Sequence, residues 1–139
     1  MDLDRANSLI AACLAHRREA GMKPITVAVI DAGGHLVALQ RENGTSNLRA
    51  EIAQGKAKGA VAMGLGSRAL FDRAAREPFF IQAMNALNGG ALVPVPGGVL
   101  VREGGAIIGA VGITGDSSAN DEACAVAAIQ SLGLEADPG

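Results

Sequence analysis

The feature that most constrains this chain is a β-hairpin closed by a glycine turn near its start. Residues 25–31 (ITVAVID) are apolar and rich in β-branched side chains, and residues 35–41 (HLVALQR) have a similar pattern. Between them lies Ala32-Gly33-Gly34, and Gly-Gly supplies the positive φ angles that a tight turn needs. Both faces of the first strand are apolar, so its sheet must be covered on both sides.

A second hairpin of the same kind begins at Gly97 and Gly98. One strand is predicted at 98–102, the turn is Glu103-Gly104-Gly105, and the return strand is predicted at 106–113. The two hairpins are separated by more than fifty residues of helical pattern, so the chain does not alternate single strands with single helices. That arrangement favours an antiparallel sheet over a parallel doubly wound one.

Amphipathic and alanine-rich patterns predict the helices around these hairpins. The expected helices cover 3–20, capped by Asp2, then 46–66, 78–87 and about 118–132, and a short strand is expected at 91–95. Ser118 and Asp121 have the spacing of a capping box for the last helix. Gly55 and Gly59 lie four residues apart in the second helix, which predicts the close approach of another segment. The fold class expected is α/β of the α+β type, with about five antiparallel strands in one domain over 1–139.

Charge and composition exclude several classes of function. The net charge of −2 and the aromatic content of 2% argue against nucleic-acid binding. No apolar run is long enough to span a membrane, and the acidic start Met1-Asp2-Leu3-Asp4 is unlike a signal peptide, so a cytoplasmic location is expected. Cys13 and Cys124 are interpreted as free buried thiols. Two histidines and two distant cysteines form no recognisable metal motif, so no metal is expected.

Three segments of the sequence together resemble a known family. They are "VAVIDAGGHLVALQRENGT", "AEIAQGKAKGAVAM" and "PGGVLVREGGAIIGAVGITGDSSANDEACAVAAI", which follow in order from about Val27 to Ile129. The chain is therefore similar to the GlcG/HbpS-like family, also called the haem-degrading or PduO C-terminal-like family. The resemblance implies a profilin-like three-layer α/β/α fold with a five-stranded antiparallel sheet. It also implies homo-oligomers, commonly dimers assembled into octamers.

The same resemblance implies a ligand class. Some members of the family bind haem or related tetrapyrroles, and others belong to catabolic operons such as those for glycolate use. At two positions this chain departs from the family pattern, since Gly59 replaces a threonine and Leu100 replaces a proline. Any part that the threonine hydroxyl plays in a ligand site is absent from this chain.

Candidate catalytic residues lie on the second and last helices. Lys56 is at the edge of an apolar stripe, where burial would lower its pKa and suit it to act as a base, or where it would simply extend along the surface. Asp121 and Glu122 are in the first turn of the last helix, where carboxylates either stabilise the helix end or act as a general acid or base. A pocket beneath the loop from Gly112 to Gly115 is the expected place for such chemistry.

Candidate ligand-binding residues are more scattered. His35 follows the first glycine turn, where it is either a turn residue or an axial haem ligand across a subunit interface. Arg41 belongs to a set of arginines that either bind carboxylates or form a solvated basic edge, with Arg49, Arg68, Arg73 and Arg76. Gly97, Gly98 and Thr114 bound the predicted cleft. Three functions remain open. One is a small-molecule-binding oligomer with haem as one ligand class, and another is a cofactor-free isomerase, hydratase or lyase acting on a small organic acid. The third is a structural accessory protein with no ligand.

Overall fold

The computed structural model describes the chain from Met1 to Gly139. Its elements are five helices and five strands in one continuous order. The helices are α1 (Leu3–Glu19), α2 (Arg49–Met63), α3 (Ser67–Arg76), α4 (Pro78–Leu87) and α5 (Ser118–Ser131). The strands are β1 (Thr26–Asp31), β2 (Leu36–Arg41), β3 (Gly98–Glu103), β4 (Ala106–Thr114) and β5 (Glu135–Asp137).

The strands form one antiparallel sheet in the order β2-β1-β4-β3-β5. Both predicted hairpins are confirmed, and they meet in the middle of the sheet, where β1 pairs with β4. In the register Val29 lies opposite Val111, which in turn lies opposite Val99. The chain therefore builds the sheet by placing its two hairpins side by side.

Each face of the sheet has its own helical cover, as the apolar first strand predicts. On one face, side chains such as Val27 and Ile113 pack against α1 and α5 in the larger core. On the other face, Ile30, Leu100 and Ala110 pack against the alanines of α2. The result is a three-layer α/β/α arrangement, in agreement with the predicted fold class.

Helix α2 lies unusually close to its neighbours because glycines face it. A Cβ atom on Gly112 would overlap the carbonyl oxygen of Ala53, so β4 and α2 make contact backbone to backbone. On its other side, α2 contacts the segment at 91–95, where a Cβ on Gly55 would lie 2.6 Å from the Val93 side chain. The predicted close packing at Gly55 is thereby confirmed, and it compensates the low helix propensity of glycine.

The sequence predicted two features of the elements wrongly and missed two elements altogether. Helix α2 begins at Arg49 rather than near residue 46, because the Ser46 hydroxyl accepts a hydrogen bond from the Arg49 side chain instead of capping the helix. The segment at 91–95 is not a strand, since its Val93 N–H donates to the carbonyl of Gly55 in α2. The fifth strand of the sheet is instead Glu135–Asp137, where no strand was predicted, and helix α3 was not predicted either.

The predicted capping box of α5 is also wrong. Ser117 is the N-cap, and its hydroxyl accepts a hydrogen bond from the Asn120 N–H. The Asp121 side chain is 1% exposed and accepts hydrogen bonds from the Lys56 ammonium and the backbone N–H of Asp116, rather than from Ser118. Cys13 and Cys124 are both buried and unbridged, as expected, and they are neighbours: Sγ of Cys124 lies 3.3 Å from the Cys13 carbonyl oxygen. None of the five helices is long and apolar enough to cross a bilayer.

Candidate functional site

The end of the second hairpin holds a buried ion pair between α2 and α5. The Lys56 ammonium lies 3.2 Å from Oδ2 of Asp121 and donates to the Ile113 carbonyl at 2.9 Å. The other carboxylate oxygen of Asp121 accepts the backbone N–H of Asp116 at 3.1 Å. Lys56 is 2% exposed and Asp121 1% exposed, so the pair joins α2, the end of β4 and the start of α5 in the absence of bulk water.

Burial is the main influence on the charge of Lys56. It lowers the pKa of the ammonium group, and the nearby Arg49 guanidinium lowers the pKa further. The Asp121 carboxylate acts in the opposite direction and raises it. A lysine whose pKa is lowered inside a protein is a candidate base, and it is equally what a buried structural ion pair requires.

The space around Lys56 is filled by protein rather than open to a ligand. Gly97 has a φ of +118°, and a Cβ there would lie 2.9 Å from the Lys56 ammonium. A Cβ on Gly98 would overlap the backbone carbonyl of Lys56 itself. Lys56 lines none of the five main surface clefts. A substrate reaching this group would require the elements around it to separate.

Two neighbouring residues complete this region. The Gly98 N–H donates to the hydroxyl of Ser67 at 2.7 Å, and Ser67 is fully buried at the start of α3. Glu122, predicted as a possible acid or base, holds Arg68 with contacts of 2.9 Å from its guanidinium nitrogens. That carboxylate raises the pKa of the Arg68 guanidinium. Glu122 therefore ties α5 to α3 and takes no part in the Lys56–Asp121 pair.

The predicted set of arginines does not come together as a whole. Arg68 is taken by Glu122, and Arg73 pairs with Glu77 at 2.7 Å while lying over the Phe80 ring. Arg41 is exposed and donates only to the Thr45 carbonyl.

Thr114 is bound by the first residue of α2. It is 1% exposed and accepts a hydrogen bond of 2.6 Å from Arg49, the first residue of α2. Sequence reasoning gave Arg49 no role of its own. Its only signal there was membership of the arginine set.

His35 lies apart from Lys56, at the turn of the first hairpin. Its side chain is 81% exposed, and Nδ1 is 3.3 Å from Oδ1 of Asp31. The same carboxylate oxygen accepts the backbone N–H groups of Gly33 and His35, which lowers the pKa of Asp31. The imidazole is thus held beside the turn while remaining open to solvent.

Two adjoining clefts run along the exposed side of α2. One, of about 350 Å³, is lined by side chains that include Leu48, Ile52 and Val93. The other, of about 390 Å³, reaches the turn glycines of the first hairpin, next to His35. Lys58 and Ala91 line both clefts, and no sequence pattern singled out Lys58. No three His, Cys, Asp or Glu side chains come together in a way that could hold a metal ion.

The fold and the site together define a three-layer α/β/α protein. Its five-stranded antiparallel sheet lies between two helical layers, and a buried Lys–Asp pair anchors the second hairpin. The model of the family described as "Haem degrading protein HbpS-like" matches residues 1–130. The chain therefore belongs to the HbpS-like family. No curated protein matches it.

Solved structures agree with this assignment. The crystal structure of a PduOC–haem complex is 26% identical, with a TM-score of 0.82 over 92% of this chain and 91% of the other. A double mutant of Streptomyces reticuli HbpS is also 26% identical, with a TM-score of 0.80 over 96% of this chain and 87% of the other. Klebsiella pneumoniae protein ORFY is 22% identical, and its TM-score of 0.86 over 96% of this chain and 90% of the other shows a shared fold.

Proposed function

We propose that the protein binds a small molecule, with haem or a related tetrapyrrole as the ligand class, and does so as a homo-oligomer. The observation that carries this proposal is membership of the HbpS-like family together with the likeness to the PduOC–haem complex along nearly the whole chain. The clefts along α2 supply the kind of surface that such a ligand requires.

The residues at these clefts fit a tetrapyrrole. A porphyrin needs apolar walls for its ring, cations for its carboxylates and a side chain that coordinates its iron. Leu48, Ile52 and Val93 provide apolar surface, and Lys58 provides a cation where the two clefts meet. His35 is an exposed imidazole at the turn beside them. Haem bound here would supply a redox-active iron. The chain would hold the ring and offer the His35 imidazole to the iron.

Haem titration of the purified protein tests the ligand class. We expect a shift of the Soret band that saturates at a fixed ratio of haem to chain, and a changed spectrum in His35→Ala if His35 is the axial ligand. His16 is the matched control, because it belongs to α1 and lines a cleft against α5, on the far side of the sheet. No Soret shift at micromolar haem would exclude haem, and equal spectra for wild type and His35→Ala would exclude His35 as the ligand.

The homo-oligomer has support in helix α4. This helix contains no charged residue and buries only Ile81, whereas Phe79 is 84% exposed and Leu87 81% exposed. Large exposed apolar side chains on a helix without charges are typical of an interface. The proposed assemblies range from dimers to octamers, and we propose that α4 takes part in them.

Light scattering tests this assembly. Wild type is expected to exceed the mass of one chain, 14.0 kDa. Phe79→Ser with Leu87→Ser should lower the mass, whereas Leu3→Ser, at a residue 56% exposed on α1, should not. A monomeric wild type would contradict the oligomer, and an unchanged mass for the double variant would exclude α4 from it.

A cofactor-free enzyme acting on a small organic acid is the second candidate. It has support in one observation, the buried Lys56 with its lowered pKa beside Asp121. In this proposal Lys56 is the base, Asp121 and Glu122 assist, and Gly97, Gly98, Thr114 and Arg41 hold the substrate. Turnover of hydroxy and keto acids by wild type and by Lys56→Ala tests it. Activity that survives the substitution would show that Lys56 is not catalytic.

A further inference from the structure

Positive side chains without acidic partners gather at one cleft. Six of the twelve lysine and arginine side chains form ion pairs with carboxylates. Two of the other six line a cleft of about 310 Å³ beside the start of α2, and a third lies next to it. Lys23 and Arg49 line this cleft, and Nη1 of Arg41 lies 3.4 Å from the carbonyl oxygen of Thr45 in its wall.

No hydrophobic side chain lines this cleft apart from the ring of Pro24. Thr45 and Ser46 belong to its wall, and Gly44 and Gly115 contribute backbone. The volume is at the lower end of the range of about 300–1,000 Å³ that small-molecule sites occupy. Such a cavity suits a small polar ligand and offers nothing to a large apolar one.

Arg49 is held firmly from the protein side. Its Nη1 donates to the buried hydroxyl of Thr114 at 2.6 Å, and its Nε donates to the Ser46 hydroxyl at 3.2 Å. Both acceptors are neutral, so the charge of the guanidinium remains uncompensated. A guanidinium has five N–H donors, and those not used by these two hydroxyls are available to a ligand.

Two carboxylates in the segments beside this cleft are occupied by other groups. Asp116 accepts the backbone N–H of Lys23 and the side-chain amide of Asn120. Glu42 accepts the backbone N–H of Ile25 and pairs with Arg17 at 3.2 Å. Neither carboxylate forms an ion pair with the three cationic side chains around the cleft. The charge of Lys23 lowers the pKa of Asp116, so Lys23 is partly compensated, whereas Arg49 and Arg41 have only neutral partners.

We propose that this cleft binds a small oxyanion, a carboxylate or a phosphate, through Arg49 and Arg41 with Lys23 beside them. Guanidinium groups bind such anions with paired, charge-assisted hydrogen bonds, and the Thr45 and Ser46 hydroxyls suit further oxygens on the same ligand. This site is separate from the proposed haem site, since it uses neither His35 nor Lys58.

Calorimetric titration with succinate and, separately, with inorganic phosphate tests the site, with sodium chloride at equal ionic strength as the reference. At least one probe should bind in a saturable manner and raise the thermal midpoint of unfolding beyond the effect of chloride. Arg49→Met should weaken binding about tenfold or more, as expected for the loss of a charge-assisted hydrogen bond. Arg41→Met and Lys23→Met should each weaken it about threefold or more.

The control is Arg76→Met, which removes an exposed arginine that has no ion pair and lies on α3 away from the cleft. This variant should bind like wild type. Equal weakening in Arg76→Met would show diffuse attraction to positive charge and would overturn the proposal, as would binding of both probes no tighter than chloride. If Arg49→Met does not fold, the exposed Arg41 and Lys23 variants decide the question. Binding of succinate alone or of phosphate alone supports the site and identifies the oxyanion.

Discussion

Replacing Lys56 by methionine tests how strongly the buried pair stabilises the fold. The substitution keeps the length and the apolar stem of the side chain, and it leaves the Asp121 carboxylate with one donor, the backbone N–H of Asp116. Removing one partner of a buried ion pair typically costs about 3–5 kcal/mol, because the remaining charge is uncompensated. For a chain of this length that corresponds to a fall in thermal midpoint of roughly 10–20 °C.

A double-mutant cycle separates the ion pair from simple loss of packing. Lys56→Met combined with Asp121→Leu removes both charges, so the double variant should be more stable than the sum of the two single effects predicts, by about 1.5 kcal/mol or more. Urea denaturation followed by circular dichroism gives each free energy of unfolding, and an unchanged dependence on urea shows that the unfolding reaction is the same.

Lys58→Met is the matched control, on the same helix and two residues away. Lys58 is half-buried and has no ion pair, so its replacement should change the free energy of unfolding by about 0.5 kcal/mol or less. A cost under about 1 kcal/mol for Lys56→Met would refute the reasoning, as would a cycle in which the single effects simply add.

Three further predictions follow from contacts described above. Gly112→Ala should cost about 3 kcal/mol or more in urea denaturation because its Cβ would overlap the Ala53 carbonyl, whereas Gly104→Ala, with open space and a φ of +57°, should cost only about 1–2 kcal/mol. Hydrogen bonds from backbone N–H groups lower the pKa of Asp116 from 3.8 to about 2. The stability that Asp116 contributes is therefore present above pH 3.8 and lost as the pH falls through 2. Replacing Asp116 by asparagine should make the stability of the protein depend less on pH over that range, and an unchanged pH dependence would contradict the assignment. The hydrogen bond with Cys124 and burial raise the pKa of the Cys13 thiol, and both cysteines are buried. A thiol reagent should therefore label neither cysteine until urea is added. Rapid labelling of the native protein would disprove this burial.

The sequence predicts the elements that carry local signals. The hairpins were predictable because their turn glycines and β-branched strands are adjacent in the chain. Helix α3 was missed because it follows Gly66 with no side-chain cap to mark its start. Strand β5 was missed because Glu135–Asp137 has no apolar alternation, and its place is determined by backbone pairing with β3, more than thirty residues earlier.

The candidate site was predictable as a set of residue types and not as an arrangement. Lys56 and Asp121 were each singled out, but 65 residues separate them and neither pattern indicates that they pair. Asp121 has the position of a helix cap, and only the packing of α5 shows that its side chain is buried. Arg49 is similar, because its significance depends on Thr114, which is equally distant in sequence.

The glycine-faced contact of α2 also determines where this molecule can move. The backbone of Ala53 rests directly on Gly112, and no side chain lies between them that could change its rotamer. We therefore expect α2 and the sheet to move as one rigid body. Helix α4 is the opposite case, since only Ile81 is buried there, in a cluster of three with Leu70 and Leu92. Amide exchange should therefore be slowest in α2 and β4 and fastest in α4, and a ligand seated along α2 would meet a fixed wall on one side and a compliant one on the other.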